Sequence, residues 1–434
     1  MSQFSRIVFI LAALAAIVGA AALAIGQPYG GAALVAALFL AAVGLSGSGA
    51  MRSFAFTVWM VAGIALAMLY PESLQRVGPI DLHNAWLKLL IVQAVMFGMG
   101  TQMSLSDLAG VAKSPGRVAV GLACQFTIMP LVGYAIAVGL QLPGEIAAGV
   151  VLIGCCSSGL ASNVMVHLAR GDLALSVTLT AVATLLAPLV TPTWMKALAG
   201  QFVEVDFFAM MTTIIKIVVV PIGAALLHDA LKNASPAARR AAYAVAGLAV
   251  AWGVALATGG WAAIESSVEG PALTAIVLAG FALAAVAVGV VYHEALKVLP
   301  ALERLMPAVS MFGILYFTVI STAAGRDALL QVGWLLLAAA VLHNTLGYLL
   351  GYSASRLVGM DKAAARTIAL EVGMQNGAMG VGLADAMGKL TTMGLAPILF
   401  SPWMNVSGSL LANFWRRRPP HEANDLSETD APHA

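Results

Sequence analysis

Residues Gly154-Cys155-Cys156-Ser157-Ser158-Gly159-Leu160-Ala161-Ser162-Asn163 and Glu371-Val372-Gly373-Met374-Gln375-Asn376-Gly377-Ala378-Met379-Gly380 are two polar, glycine-bearing runs inside otherwise apolar stretches. A continuous apolar stretch reads as one membrane helix, with every backbone group bonded within its own segment. Small residues and side-chain oxygens clustered halfway along it break or thin that helix. Backbone freed in this way is tolerated at membrane depth only where protein or a cavity surrounds it. The second run also carries a carboxylate. An ionised acid there costs at least about 2.5–3.5 kcal/mol, so Glu371 needs a cation or a proton as its partner.

The setting of both runs is apolar throughout. Of 434 residues, 61% are hydrophobic and 10% charged, where soluble domains carry about 45–50% and about 25%. An ordinary water-soluble fold is excluded, and the partner implied is the lipid bilayer. Lys+Arg 22 against Asp+Glu 20 leaves a formal charge of +2, which offers no basic field for nucleic acid. Cys124, Cys155 and Cys156 lie within apolar runs and supply neither a disulfide framework nor a four-ligand zinc site.

A helix needs roughly 20 apolar residues to cross about 30 Å of hydrocarbon. Cutting the chain at its charged and Pro/Gly punctuation gives about fourteen spans, near 6–26, 31–47, 54–71, 86–104, 117–139, 146–169, 173–195, 207–228, 240–260, 272–292, 305–324, 331–354, 364–387 and 392–415. With the N-terminus inside, sixteen of the 22 Lys and Arg fall on one side, among them Arg6, Arg52, Lys113, Arg117 and Arg416. Five, including Lys88 and Lys389, fall on the other, and Lys216 falls within a span. Cytoplasmic loops retain positive charge, so both termini are expected in the cytoplasm, with the chain in the inner membrane. A leader peptide cleaved near Ala21-Ala22 would reverse that agreement. The polar tail 416–434, with Pro419-Pro420 and several acids, is expected to be disordered.

The two decisive runs occupy corresponding places in the two halves of the chain. Each contains an Asn at its polar end, and each is followed by a span carrying Ala-Pro: Ala187-Pro188-Leu189 and Ala396-Pro397-Ile398. Interrupted segments at matched positions are what an inverted-repeat secondary transporter needs, because unwound backbone frees carbonyls for cations and helix N-termini for anions. An intramembrane enzyme is disfavoured, since no His-Glu-x-x-His, no Gly-x-Ser-x-Gly and no acidic pair suited to a diphosphate metal site occurs.

Further motifs sharpen the assignment. They are Met96-Phe97-Gly98-Met99-Gly100, Gln125-Phe126 with Met129-Pro130, Ala161-Ser162-Asn163 followed by Gly171-Asp172, and Ala174-Leu175-Ser176-Val177-Thr178-Leu179-Thr180 with Leu185-Leu186-Ala187-Pro188-Leu189. His343-Asn344 with Gly347-Tyr348-Leu349-Leu350-Gly351-Tyr352, then Glu371-Val372-Gly373-Met374-Gln375-Asn376 and Asn405-Val406-Ser407-Gly408, complete the set. Through these residues the chain resembles the bile acid:sodium symporter family, most closely its bacterial members, over roughly residues 53–228 and 300–415. The resemblance implies an all-α polytopic membrane protein: an inverted-repeat secondary transporter of ten helices in two repeats, with panel and core domains and two broken crossing helices. The excess of fourteen spans over ten would be one pair at 1–50 and one inserted at about 240–292, both lipid-facing additions to the panel. The first repeat would cover 53–199 and the second 206–415.

The same resemblance implies two coupling Na⁺ ions. One would sit among Ser162, Asn163, Ser176, Thr180 and Glu371; the other would use Gln125, Glu371, Gln375 and the backbone carbonyls of Val372 and Met374. Hydroxyl, amide, carbonyl and a shared carboxylate are the oxygen ligands a hard monovalent cation prefers. The substrate, a small organic anion such as a pantoate-like acid, a 2-oxo acid or a bile-acid-like carboxylate, would lie near Asn376 and the break around Ser158, Leu160 and Ala161. Here the chain departs from the family. The usual Pro-Gly-Gly is Ser157-Ser158-Gly159, followed by Leu160 where bacterial relatives normally carry Thr, which leaves the substrate's identity open. Lys216, close to the middle of its span, is read as a further group attracting the anion, against snorkelling or pairing elsewhere. Two rival readings share the architecture: a proton-coupled carboxylate transporter that cycles Glu371, and an arsenite-exporter-like carrier using the Cys155-Cys156 thiols. The sequence sets no oligomeric state.

Overall fold

The computed structural model describes residues 3–48 and 54–420. Its α-helices are α1 (Gln3–Ala24), α2 (Gly30–Ser46), α3 (Ala55–Leu69), α4 (Ala85–Gly100), α5 (Leu105–Lys113), α6 (Pro115–Gly139), α7 (Gly144–Cys155), α8 (Ala161–Leu168), α9 (Leu173–Trp194) and α10 (Phe207–Ile214). They continue with α11 (Val220–Lys232), α12 (Pro236–Ala255), α13 (Trp261–Ser267), α14 (Gly270–Val298), α15 (Ala301–Ala324), α16 (Arg326–Leu357), α17 (Lys362–Gly373), α18 (Gly377–Ala386) and α19 (Leu395–Arg416). Short π-helical stretches extend α9 over Met195–Ala199, join α10 to α11 over Ile215–Val219 and join α12 to α13 over Leu256–Gly260. Among the described residues the only sheet is a two-residue hairpin, Arg76–Val77 with Ile80–Asp81.

Each of the fourteen expected segments corresponds to one of these helices or to a joined pair. Nine helical segments are long and apolar enough to cross a membrane among the described residues, and α4 with α5, bent by 54°, makes a tenth if counted as one span. The other four are of two kinds. Helices α2 and α3 are apolar but short, with 17 and 15 residues. The pairs α7–α8 and α17–α18 are interrupted at the two polar runs, so neither half alone reaches spanning length. Of the tail expected to be disordered, Arg416 closes α19, and residues 421–434 lie outside the described residues, as does Arg52.

Helix contacts define two bodies. In the first, α1 packs on α2, α2 on α3, α3 on α15, α15 on α4, α4 on α11, α11 on α14 and α14 on α12, forming a single layer. The helices expected as added pairs, α1–α2 and α12–α14, stand at its opposite ends. Only 11% of the apolar window of α14 is buried, against 67% for α19 in the second body, so the α12–α14 flank is an outer face. In the second body, α6, α7, α9, α16, α17 and α19 pack on one another. Its core includes Met129, Ile153, Leu179, Ile368, Leu370, Val372 and Met374, all nearly inaccessible.

Candidate ion and substrate site

The two polar runs interrupt their helices where the sequence requires it. Helix α7 stops at Cys155 and α8 begins at Ala161; α17 stops at Gly373 and α18 begins at Gly377. The breaks cross as a short antiparallel rung with Ser158 opposite Gln375. Asn376 N donates to Ser157 O at 2.7 Å and Gly159 N to Met374 O at 3.1 Å. Side chains satisfy the other freed carbonyls: Thr191 Oγ1 donates to Cys155 O (2.7 Å), Gln125 Nε2 to Cys156 O (3.1 Å), Gln375 Nε2 to Val372 O (2.6 Å) and Asn344 Nδ2 to Gly373 O (2.7 Å). Unwound backbone at membrane depth persists because of this internal satisfaction. Glycine is required at the edge of one break, since a Cβ on Gly373 would fall 2.1 Å from Tyr348 Cδ1.

Glu371, 2% exposed, ends in a cage of hydroxyls. Ser162 and Ser176 donate to Oε1 at 2.5 and 2.6 Å, and Ser158 and Thr180 to Oε2 at 2.6 and 2.9 Å. Each hydroxyl also reaches a second oxygen: Ser162 the Gly159 carbonyl (2.7 Å), Ser176 Asn163 Oδ1 (2.7 Å), Thr180 Asn163 Oδ1 (3.3 Å) and Ser158 Thr180 Oγ1 (3.3 Å). A hydroxyl has one proton, so eight oxygen–oxygen approaches share four. Protonating Glu371 adds only one more. Oxygens gathered in excess of the protons between them form a donor set for a hard cation. A softer metal has no comparable set, because no cluster of three or more His, Cys, Asp or Glu suited to one occurs among the described residues.

The residues expected at a second ion lie at the crossing itself. Gln125 Nε2 donates to Gln375 Oε1 at 2.9 Å, and Gln125 Oε1 is buried with no hydrogen-bond partner among the described residues. The carbonyls of Val372 and Met374 accept from Gln375 Nε2 and Gly159 N, so the backbone oxygens of this set are engaged by the crossing. A buried acceptor without a donor costs about 1–3 kcal/mol, and a cation at Gln125 Oε1 would relieve that cost.

A cavity of about 230 Å³ opens between the two bodies beside the crossing. Leu160, Ala161 and Asn376 line it, together with Asn405 of the Asn405-Val406-Ser407-Gly408 motif and with Gln102, Ser310 and Ser401, which the sequence did not single out. No charged residue is among its walls. Asn376 Oδ1 caps α18 by accepting from Met379 N at 3.0 Å, while its Nδ2 is buried without a partner among the described residues. Two residues expected at the substrate are placed elsewhere. Ser158 is 1% exposed and turned to Glu371. Lys216 sits in the π-helical stretch between α10 and α11, its carbonyl accepting from Gln93 Nε2 at 2.7 Å, and is absent from the cavity wall. Depth in a span does not fix direction around the helix, and a π-turn rotates the register further. Cys155 and Cys156 are fully buried and are also absent from that wall.

At the far end of α4 and α18 an ion pair ties the two bodies, and further polar contacts brace each body beside it. Lys88 Nζ pairs with Asp385 Oδ1 at 2.5 Å, and Tyr316 donates to Leu82 O at 2.5 Å. Nearby, Lys389 pairs with Glu145, which also accepts from Thr392 Oγ1 at 2.6 Å. These residues were missed because their partners are far apart in sequence; the available signal was ionisable groups at span ends on the charge-poor side.

A polytopic helical protein with two crossed, interrupted helices around a buried carboxylate has the architecture of a secondary transporter. Residues 89–260 match the Sodium Bile acid symporter family. Over 364 residues the chain is 32% identical to the uncharacterized sodium-dependent transporter YocS of Bacillus subtilis (strain 168), covering 84% of this chain and 91% of that protein. It is 27% identical over 374 residues to the probable chloroplastic sodium/metabolite cotransporter BASS1 of Arabidopsis thaliana, covering 86% and 76%. With the ileal sodium/bile acid cotransporter of Homo sapiens it shares 40% identity over 98 residues, 23% of this chain and 28% of that protein. The chain belongs to the sodium bile acid symporter family and is a transporter, not an enzyme.

Proposed function

We propose that this protein is a sodium-coupled symporter that carries a small organic anion across the inner membrane by alternating access. The observation that carries the reading is the crowding around Glu371, where eight oxygen–oxygen approaches share four hydroxyl protons. The first Na⁺ is assigned to Ser162, Asn163, Ser176, Thr180 and Glu371, and the second to Gln125, Glu371, Gln375, Val372 and Met374. The names of the relatives support sodium as the coupling ion.

The substrate site is assigned to the cavity beside the crossing, with Asn376 Nδ2 as a donor and Leu160 and Ala161 as wall. The N-termini of α8 and α18 carry partial positive charge toward a carboxylate there. At about 230 Å³ the cavity is smaller than the roughly 300–1,000 Å³ of drug-sized sites, which favours a short hydroxy or 2-oxo acid over a steroid. Charge distribution assigns both termini and the cavity mouth, near Phe56 and Gln102, to the cytoplasm, and the Lys88–Asp385 end to the opposite side. Two sodium ions entering down about 100 mV contribute roughly 4.6 kcal/mol, of which a monovalent anion takes back roughly 2.3. Net positive charge therefore moves inward.

Thermal unfolding of the purified protein with NaCl or choline chloride, and a panel of short carboxylates, tests the reading. A stabilising carboxylate is expected to act only with Na⁺, and Glu371→Gln to abolish the Na⁺-dependent rise. Sodium-independent uptake that collapses with a proton uncoupler would overturn it in favour of a proton cycle on Glu371.

A further inference from the structure

Ser158 stands where the two breaks meet. It is the residue paired with Gln375 in the crossing rung, and the bonds on either side, Asn376 N to Ser157 O and Gly159 N to Met374 O, fix its backbone against the other break. Its neighbour Ser157 meets α9, the helix of Thr180, one turn further along, its hydroxyl accepting from Thr184 Oγ1 at 3.2 Å and lying 3.8 Å from Met379 Sδ. The Ser158 hydroxyl is 1% exposed, and its neighbours are both oxygens of the Glu371 cage: Glu371 Oε2 at 2.6 Å and Thr180 Oγ1 at 3.3 Å. It caps no helix.

The cage is evenly divided because of this residue. Oε1 of Glu371 has Ser162 and Ser176; Oε2 has Thr180 and Ser158. Without Ser158 the Oε2 side would keep a single hydroxyl. Glycine or alanine would fit the backbone here, so the hydroxyl is not needed to form the rung. The next residues in the chain, Gly159 and Leu160, are cavity wall, while Ser158 itself is absent from that wall.

We propose that the Ser158 hydroxyl is a ligand of the coupling ion on the Oε2 side of Glu371, a fourth hydroxyl added to those of Ser162, Ser176 and Thr180. This rests on the sodium reading above. A serine hydroxyl can turn its proton away and present a lone pair to a cation, then donate to the carboxylate when the ion leaves. Ser158 thereby sets the sodium affinity of the cage without touching the transported anion.

The test uses the full chain in detergent, with wild type, Ser158→Ala and Ser158→Gly titrated with NaCl against choline chloride at constant ionic strength. The sodium midpoint of thermal stabilisation is expected to rise about three- to tenfold in both variants, the worth of one polar contact. Equilibrium binding of radioactive sodium should show the same rise and does not depend on melting. A hydroxyl with only a structural role would lower the melting temperature equally at every sodium concentration and leave the midpoint in place. That result, or a midpoint that falls, overturns the assignment of Ser158 while leaving the sodium reading intact. A wild type with neither sodium-dependent stabilisation nor sodium binding removes both.

Discussion

Lys88 Nζ, at the start of α4, lies 2.5 Å from Asp385 Oδ1, at the end of α18, with both side chains less than a fifth exposed. The pair joins the helical layer to the body that holds the site, at the end away from the cavity. Under the proposed alternating access this pair has to part. A pair of this kind is worth about 1 kcal/mol, or roughly fivefold in population. Lys88→Met and Asp385→Asn are each expected to bias the protein toward opening at that end. Val92 is 5% exposed and packed near Gly382, so a Val92→Cys reporter should react severalfold faster with a thiol reagent in either background. Equal labelling rates with and without the pair would show that it is not a closure.

The glycines at the breaks differ in what surrounds them, which ranks their substitutions. A Cβ on Gly373 would lie 2.1 Å from Cδ1 of Tyr348, a buried ring whose hydroxyl is near Met404 O and Ser407 Oγ. On Gly154 it would lie 2.5 Å from the Met129 carbonyl. On Gly377 the nearest atom is Ser401 Oγ, the end of a side chain that can rotate. Gly373→Ala and Gly154→Ala are expected to lose about 1–3 kcal/mol or to fail to accumulate, and Gly377→Ala to lose less. Expression level and melting temperature in detergent check the order, and Gly377→Ala being the worst of the three would contradict it.

Much of this arrangement was readable before any coordinates. Glycine and oxygen-bearing side chains inside apolar runs marked both breaks, because lipid penalises unsatisfied backbone so heavily that such residues need a reason to be there. The depth of Glu371 marked the charge to be neutralised. Directions were not readable. Ser158 was grouped with the substrate as part of the broken stretch 158–161, yet a break does not fix where each of its side chains turns, and this hydroxyl faces Glu371. Lys216 failed for a related reason: its distance along the span was clear, but its azimuth depends on the π-turn at Ile215–Val219. Lys88 and Asp385, 297 residues apart, are paired only by the fold.

Asn344 holds the second break open from behind. It is fully buried, donates from Nδ2 to Gly373 O at 2.7 Å and accepts at Oδ1 from Ser407 Oγ at 2.5 Å. Ser407 has other acceptors in Trp403 O and Met404 O, at 3.0 and 3.2 Å. The carbonyl of Gly373 is then the group most exposed to loss. Asn344→Leu, close in size and without a donor, is expected to cost about 1–3 kcal/mol, the desolvation penalty of one orphaned group. The loss should appear as a lower melting temperature at every sodium concentration. An unchanged melting temperature would mean that water or another donor serves Gly373.

Asn376 combines two tasks on one amide, and they can be separated. Its Oδ1 caps α18 through Met379 N, and its Nδ2, buried without a partner among the described residues, is the donor proposed for the anion. Asn376→Asp keeps an oxygen for the cap but replaces the donor with a second acceptor, which would repel a carboxylate. Asn376→Ala removes both and should cost about 1 kcal/mol of stability for the lost cap. The aspartate variant is thus expected to melt near the wild-type temperature and to retain sodium-dependent stabilisation. Its apparent affinity for a carboxylate that stabilises the wild type should fall by about tenfold or more, the loss of a charge-assisted hydrogen bond. Asn376→Ala should melt lower and lose affinity less. If Asn376→Asp binds the carboxylate as tightly as wild type, Asn376 is a helix cap alone and the anion is held elsewhere along the wall.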